Sequence, residues 1–244
     1  MSIPTESVVI PAQVDLLSRG ADLVCVWRNE DGGLTFRATG VGDPFYIKWT
    51  PRVLESSLLD EAERMRWASR WISVPVVLDA GADETHEWLV TAALDGSSAV
   101  DPRWSDDPAT AVRAVGEGLR AMHDALPVEE CPWDWGVPSR IANAERRGIV
   151  VPASLRTPPP VDTLVVAHGD ACLPNTLLAA DGRWLAHVDL AALGVADRWA
   201  DIAVASMSTE WNCGPGWEDA LIEAYGLEPD RERLAYYRDL WNAT

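Results

Sequence analysis

No part of this chain leaves less freedom than residues 163–190, TLVVAHGDACLPNTLLAADGRWLAHVDL. Residues 164–167 and 184–188 read as two short apolar strands, each delivering polar residues at its C-terminal end. The first delivers His168, Gly169 and Asp170, with Asn175 five positions beyond the aspartate; the second delivers Asp189, fourteen positions beyond the asparagine. Taken alone, His-Gly-Asp reads equally well as an aspartate turn between two core strands. The full spacing is more restrictive. One aspartate to orient or deprotonate a hydroxyl, beside an asparagine and a second aspartate to hold magnesium on nucleotide phosphates, is what phosphoryl transfer needs.

At 244 residues the chain has room for one large domain or two lobes. A hydrophobic content of 48% excludes disorder, and no apolar run approaches the roughly 18 residues of a membrane span. The opening MSIPTESVVIPAQ has neither a basic nor an apolar signal region, so no secretory signal is expected. Cys25, Cys131, Cys172 and Cys213 form no CxxC pair, which suits a reduced, cytoplasmic protein with free thiols. The net charge of −18 argues against a nucleic-acid partner, because phosphate binding needs a basic surface. Such acidity either serves solubility or attracts a polycationic substrate.

In the first part of the chain, residues 8–10, 23–27 and 34–38 look like strands. On the second of these, Val24 and Val26 share one face and Cys25 and Trp27 the other. Gly32-Gly33 suits a hairpin turn, and also the close approach of backbone N–H groups to a phosphate. Within residues 44–49, PFYIKW, Lys48 is costly to bury without an anionic partner. The amphipathic pattern over residues 54–72 offers one in Glu61, on a helix whose apolar face carries Leu58, Ala62, Met65, Ser69 and Ile72. A strand lysine paired with a helix glutamate is one way to hold the α- and β-phosphates of a nucleotide; an edge-strand lysine facing water is the alternative. Tyr46 shares the face of Lys48 and is placed to stack on a base. Two more strands, 74–78 and 87–92, precede a break at Asp95-Gly96-Ser97-Ser98, where the boundary between lobes is expected.

Beyond it, residues 108–126 have helical periodicity, capped by Asp106 or Asp107 with Pro108 in the first turn. His123 lies on the flank of that helix and reads as a packed or surface histidine rather than a ligand. Residues 139–147 form a short basic helix ended by Gly148, and 150–160 is proline-rich. After Asp189, the residues Asp197, Arg198 and Asp201 gather where a helix begins. Arg198 either pairs with a carboxylate near the site or belongs to a surface capping cluster. Two helices, 217–225 and 229–241, follow.

With these pieces assembled, the chain resembles the aminoglycoside phosphotransferases, and within them the 3′-phosphotransferase (kanamycin kinase) group. The resemblance is carried by VVAHGDACLPN (165–175), LGVADRWADIA (193–203), DEAERMRW (60–67) and LAYYRDL (234–240). The HxDxxxxN spacing is also that of the protein-kinase catalytic loop. The resemblance implies an α+β, bilobal protein-kinase-like fold. Residues 1–94 would form a nucleotide-binding lobe with an antiparallel sheet, and 95–244 a mainly helical lobe carrying the catalytic loop. By position it implies Asp170 as catalytic base and Asn175 and Asp189 as Mg2+ ligands. Lys48 would bind the ATP phosphates with Glu61 as its partner, Tyr46 would stack on adenine, and the backbone of Ala92 and Leu94 would hold its edge. Arg198, Glu210, Glu218 and Thr244 are candidate contacts to a small hydroxylated, polycationic acceptor. No nucleic acid, membrane or obligate protein partner is implied.

The sequence departs from that family in three places. Leu190 and Ala191 replace the usual residue and glycine after the metal aspartate. Residues 148–162 are short and nearly free of acids. The positions aligned with the family's C-terminal Asp-Glu pair and its last two residues are Trp241, Asn242, Ala243 and Thr244. Two readings therefore stand beside an aminoglycoside kinase at this point: a kinase for another hydroxylated metabolite or antibiotic, and a nucleotide-binding homologue without catalysis.

Overall fold

The computed structural model describes residues 8–29, 32–52 and 57–244. The chain divides into two compact units, one built from residues up to Arg70 together with Val74–Leu94, the other from Trp71–Ser73 and Asp95–Thr244. No helix among the described residues is long and apolar enough to cross a membrane.

In the first unit, helix α1 (Ala12–Ser18) precedes strands β1 (Asp22–Arg28), β2 (Leu34–Thr39) and β3 (Phe45–Pro51). Helix α2 (Leu58–Ala68) and strands β4 (Val77–Ala82) and β5 (His86–Ala92) follow. The five strands make one antiparallel sheet in the order β1-β2-β3-β5-β4. Its core gathers Val14 of α1 with Leu34, Phe36, Ile47 and Val90.

Several local expectations change here. Residues 8–10 are not a strand: they lack a pairing partner, and Val9 is 88% exposed. The sequence reading missed α1, whose Val14 and Ser18 are buried at helical spacing. Strand β1 does not keep the alternation expected of it, because its register shifts between Cys25 and Trp27. The extra residue, Val26, puts Trp27 on the outer face with Val24. Strand β4 begins at Val77 rather than at residue 74, after the buried pair Val74-Pro75. Helix α2 ends at Ala68, short of Ile72, where the Ser69 hydroxyl donates to the Arg66 carbonyl. The start expected at residue 54 lies outside the described residues.

The second unit begins with strand β6 (Ser97–Ser98), set within what the sequence presents only as a break, and continues with α3 (Pro108–Ala125) and α4 (Val137–Arg146). Then come β7 (Leu164–Ala167), β8 (Thr176–Leu178), β9 (Trp184–His187) and β10 (Gly194–Asp197). Helices α5 (Trp199–Cys213), α6 (Glu218–Tyr225) and α7 (Arg231–Ala243) complete it. Strands β10 and β7 pair antiparallel, and β6, β8 and β9 form a three-stranded sheet. The two strands that deliver the motif residues thus belong to different sheets. The core that joins them holds Leu119 of α3, Val165 and Ala167 of β7, Ile202 of α5, Leu221 of α6 and Leu240 of α7. Helix α3 carries two glycines although each costs about 1 kcal/mol of helix propensity. The reason is proximity: a Cβ on Gly118 would lie 2.4 Å from the Trp184 ring, and one on Gly116 would lie 2.6 Å from the Leu221 carbonyl.

Candidate active site

Strand β7 is followed by His168, fully buried, and Gly169, whose φ of +86° only glycine adopts without strain. A Cβ there would also sit 2.4 Å from the Ala192 carbonyl oxygen. Both backbone N–H groups of this corner are taken by one side chain: Asp201 accepts from His168 N at 2.5 Å and from Gly169 N at 2.9 Å. Asp201 lies in the first turn of α5 with no exposure, and its third partner is His123 Nε2 on α3 at 3.0 Å. His123 is thus packed rather than on the surface, with Nδ1 2.8 Å from the Tyr225 hydroxyl. Burial opposes ionisation of Asp201. The hydrogen bond and charge of His123, with His168 behind them, outweigh it and hold the carboxyl below its usual range. Burial pushes the Tyr225 phenol up to about 12, so it keeps its proton.

His168 closes the corner from the other side. Its Nδ1 accepts the Asp170 N–H at 3.3 Å, which leaves Nε2 to donate to the Val188 carbonyl at 3.0 Å. Asp170 follows with both carboxylate oxygens engaged. Asn175 Nδ2 donates to Oδ2 at 3.2 Å and to the Asp170 backbone carbonyl at 3.0 Å. The Cys172 thiol donates to Oδ1 at 2.9 Å. Burial raises the pKa of that thiol, and the charge of Asp170 raises it further, so the sulfur stays protonated and remains a donor. The next residue, Leu173, is tied to α5 through its N–H, which donates to Ser208 Oγ at 2.9 Å; Asn212 Nδ2 reaches the same oxygen at 3.1 Å.

The fourteen-residue step from Asn175 to Asp189 closes a hairpin. Thr176 pairs with His187, and one step further the Val188 N–H donates to the Asn175 carbonyl at 2.9 Å. Asp189 therefore emerges beside Asn175, exposed, at a φ of +65°. Apart from Arg19 it is the one non-glycine residue with positive φ among the described residues. Aspartate enters this left-handed region more readily than most residues, and a carboxylate held there just past a strand is a candidate for a functional role.

The first unit holds the other candidate cluster. Lys48 on β3 is gripped by both oxygens of Glu61, at 2.7 and 3.0 Å, with the glutamate 2% exposed. Glu87 of β5 accepts from Ser57 Oγ and from Leu58 N, each at 2.9 Å, and so pins the start of α2 one turn before Glu61. Tyr46 lies on the Lys48 face of β3, half-buried, with Thr91 of β5 as its partner in register. The Ala92 N–H donates to Val76, which leaves its carbonyl as the group it offers; Leu94 follows the end of the strand, half-buried.

The four candidate acceptor contacts have different surroundings. Arg198 binds Asp162, Nε at 2.7 Å and the terminal nitrogen at 2.6 Å, and the Trp199 indole donates to the same carboxylate at 2.9 Å. Glu218 is held by Arg231 and Arg238. Thr244 accepts from Arg140 at its hydroxyl, 2.9 Å, and from Arg147 at its carbonyl. Glu210 is exposed.

Sequence reasoning missed the residues that hold the loop after β7. Asp201 lay in view but was grouped with Asp197 and Arg198 as part of one cluster, whereas its partners lie just past β7 and in α3. Cys172 was read only as a free thiol within the motif, and Ser208 and Asn212 drew no attention, although the four-residue step between the last two on a helix was available as a signal.

The phosphotransferase enzyme family model matches residues 31–237. The chain is similar to the aminoglycoside 3′-phosphotransferase of Streptomyces fradiae, 37% identical over 246 aligned positions that cover 86% of this chain and 90% of the relative. It is also similar to the streptomycin 3″-kinase of Streptomyces griseus, 33% identical over 93% of each chain. Among solved structures, an aminoglycoside-3′-phosphotransferase of type VIII superposes with a TM-score of 0.79 at 29% identity, covering 96% of this chain and 98% of the other. The α+β, protein-kinase-like fold class implied by the family resemblance is the one found. A family match across most of the sequence, relatives above 30% identity over nearly its whole length and a shared fold make this chain a member of the phosphotransferase enzyme family, and a phosphotransferase.

Proposed function

We propose that this enzyme moves the γ-phosphate of ATP to an alcohol hydroxyl of an aminoglycoside, the 3′-hydroxyl in the first instance, within the cytoplasm. The observation that carries this reading is the arrangement around Asp170. Its two carboxylate oxygens are held by Asn175 and Cys172, and its backbone is anchored through Gly169 to Asp201. The names of the relatives supply the acceptor class, and the four free cysteines suit a reducing compartment.

In this reading residues 1–94 bind the nucleotide and 95–244 carry the chemistry. Lys48, steadied by Glu61, holds phosphate oxygens; Tyr46 and the backbone of Ala92 and Leu94 hold the adenine. The acceptor hydroxyl gives its proton toward Asp170 while its oxygen bonds to the γ-phosphorus. The bond from that phosphorus to the bridging oxygen breaks, and ADP departs. Positioning supplies most of the rate.

Asn175 and Asp189 fit magnesium in donor chemistry, since both present hard oxygen atoms. Asn175 spends its amide nitrogen on Asp170, so its side-chain oxygen is the atom left for a metal. No cluster of three or more His, Cys, Asp or Glu poised for a metal occurs among the described residues, so phosphate oxygens and water would complete the shell. Magnesium bound there would neutralise charge on the transferring phosphate.

ADP release measured across kanamycin, neomycin, streptomycin, simple sugars and macrolides tests the reading. Turnover is expected on kanamycin and neomycin. Asp170→Asn should remove it, by about 10³-fold or more, while ATP still binds. Equal turnover by that variant would overturn the assignment of Asp170, and turnover on sugars or macrolides alone would replace the acceptor.

A further inference from the structure

Helix α5 buries the hydroxyl side chains of Ser206, Ser208 and Thr209. Two of them return their proton to their own helix: Ser206 Oγ donates to the Ala203 carbonyl and Thr209 Oγ1 to the Ser206 carbonyl, each at 2.8 Å. Ser208 is used differently. Its oxygen accepts the Leu173 N–H at 2.9 Å and Asn212 Nδ2 at 3.1 Å, which fills both lone pairs. The Asn212 amide is oriented by a further bond, since the same nitrogen donates to the Ser208 carbonyl at 2.8 Å, and a carbonyl can only accept. What Ser208 has left is one O–H in a site with no exposure, and buried donors seldom go without an acceptor.

The residue before Leu173 supplies one. Cys172 spends its own S–H on Asp170 Oδ1 at 2.9 Å, so its sulfur lone pairs are the part of it that can accept. Burial raises the pKa of this thiol and the charge of Asp170 raises it further, whereas Ser208 acts in the opposite direction, as a donor to sulfur does. Anchoring Leu173 requires only the Ser208 oxygen. Where its proton points is a separate matter, and the sulfur is the acceptor that leads on to Asp170.

We propose that Asn212, Ser208 and Cys172 form a one-way chain of hydrogen bonds that runs from α5 to Oδ1 of Asp170, with Ser208 and Asn212 as positioning residues for that carboxylate. The proposal rests on the reading of Asp170 as the base. Each member donates to the next: amide to hydroxyl, hydroxyl to sulfur, thiol to carboxylate. Linked donors polarise one another, so the S–H bond to Asp170 is stronger for having Ser208 behind it. The chain transfers no proton. It sets the direction in which Oδ1 faces, and it does so from a buried helix rather than from within the loop that carries Asp170.

Asn212→Asp separates the chain from simple anchoring of the loop. A carboxylate at this exposed position draws the Ser208 hydroxyl toward itself, while the Ser208 oxygen still accepts from Leu173. Two quantities are measured on the full chain: kcat with kanamycin and Mg-ATP, and the infrared S–H stretch of Cys172, identified as the band missing from Cys172→Ser. Asn212→Asp should lower kcat about 3-fold with KM for ATP unchanged. The S–H band should move to higher frequency as the bond to Asp170 weakens. Ser208→Ala should move the band the same way and lower kcat about 10-fold, and Ser208→Thr, which keeps the hydroxyl, should restore both. In a Cys172→Ala background, Asn212→Asp should cost nothing further in kcat. An unmoved S–H band in Asn212→Asp overturns the chain, and so does an equal fall in kcat with and without Cys172. A band that shifts as expected in a protein that Asp170→Asn leaves active keeps the chain and sinks the reading of Asp170 as the base.

Discussion

One carboxylate, that of Asp201, accepts the backbone N–H groups of His168 and Gly169, and so fixes the corner from which Asp170 projects. Asp201→Asn replaces one of those acceptor oxygens with an NH2 group that faces a donor in a fully buried site. A buried charge partner of His123 is lost at the same time. The expected cost is about 3–5 kcal/mol in urea unfolding. A loop displaced by an ångström should lower kcat about 10²-fold. Steady-state kinetics and chemical denaturation check both, and a variant with wild-type kcat would remove Asp201 from the positioning of the loop.

The same residue gives a pH dependence with a definite sign. Its carboxyl is held below the ordinary value, burial opposing and His123 and His168 outweighing it. The unfolded chain therefore takes up this proton first. Stability from this group is complete above the unfolded value of about 3.9 and drains away as pH falls from there through the lower folded value. Thermal melts between pH 6 and pH 3 should fall more steeply for the wild type than for Asp201→Asn over the acid end. Parallel curves would show that the carboxyl is not depressed.

What could be read from the sequence follows from how local its cause is. Lys48 was legible because a lysine inside an apolar strand demands a partner, and Glu61 lay on the next amphipathic segment; the two meet at 2.7 Å. Asp170, Asn175 and Asp189 were legible because strand ends and a hairpin set their spacing. The bulge in β1 was not, since nothing in Cys25-Val26-Trp27 distinguishes a slipped residue from an alternating one. Nor was the role of Asp201, whose partners stand more than thirty and more than seventy residues away and are backbone groups or a histidine of ordinary helical pattern. Side-chain contacts to distant backbone leave no periodicity to detect. Arg198 shows the converse: its residue type suggested a carboxylate partner, and the one it found, Asp162, was the single acid of a loop noted for lacking them.

The Lys48–Glu61 pair predicts unequal effects for its two members. Lys48→Met removes the cation from a glutamate that is 2% exposed, at an expected cost of about 2–3 kcal/mol. It also removes the proposed phosphate contact, so kcat/KM for ATP should drop about 100-fold. Glu61→Gln keeps an acceptor oxygen for the lysine and should cost about 10-fold in the same parameter, with less loss of stability. Product formation against ATP concentration measures both. A Glu61→Gln defect larger than that of Lys48→Met would show that the glutamate acts other than through the lysine.

Cys172 offers the most discriminating substitution near the proposed base. Its thiol reaches Asp170 Oδ1 at 2.9 Å, on the opposite carboxylate oxygen from the one Asn175 holds. Because burial and the neighbouring charge keep the thiol protonated, it acts as a hydrogen-bond donor and not as a nucleophile. Cys172→Ala leaves Oδ1 without this donor and lets the carboxylate turn about its Asn175 contact. A hydrogen bond worth about 1 kcal/mol in orientation corresponds to roughly a 5-fold fall in kcat, with KM for ATP unchanged. Cys172→Ser restores an O–H donor on a shorter bond and should recover kcat to within about 2-fold of wild type. Equal activity of the alanine and serine variants would mean that the hydrogen bond to Asp170 does not matter, with a shared loss pointing instead to side-chain volume at this position.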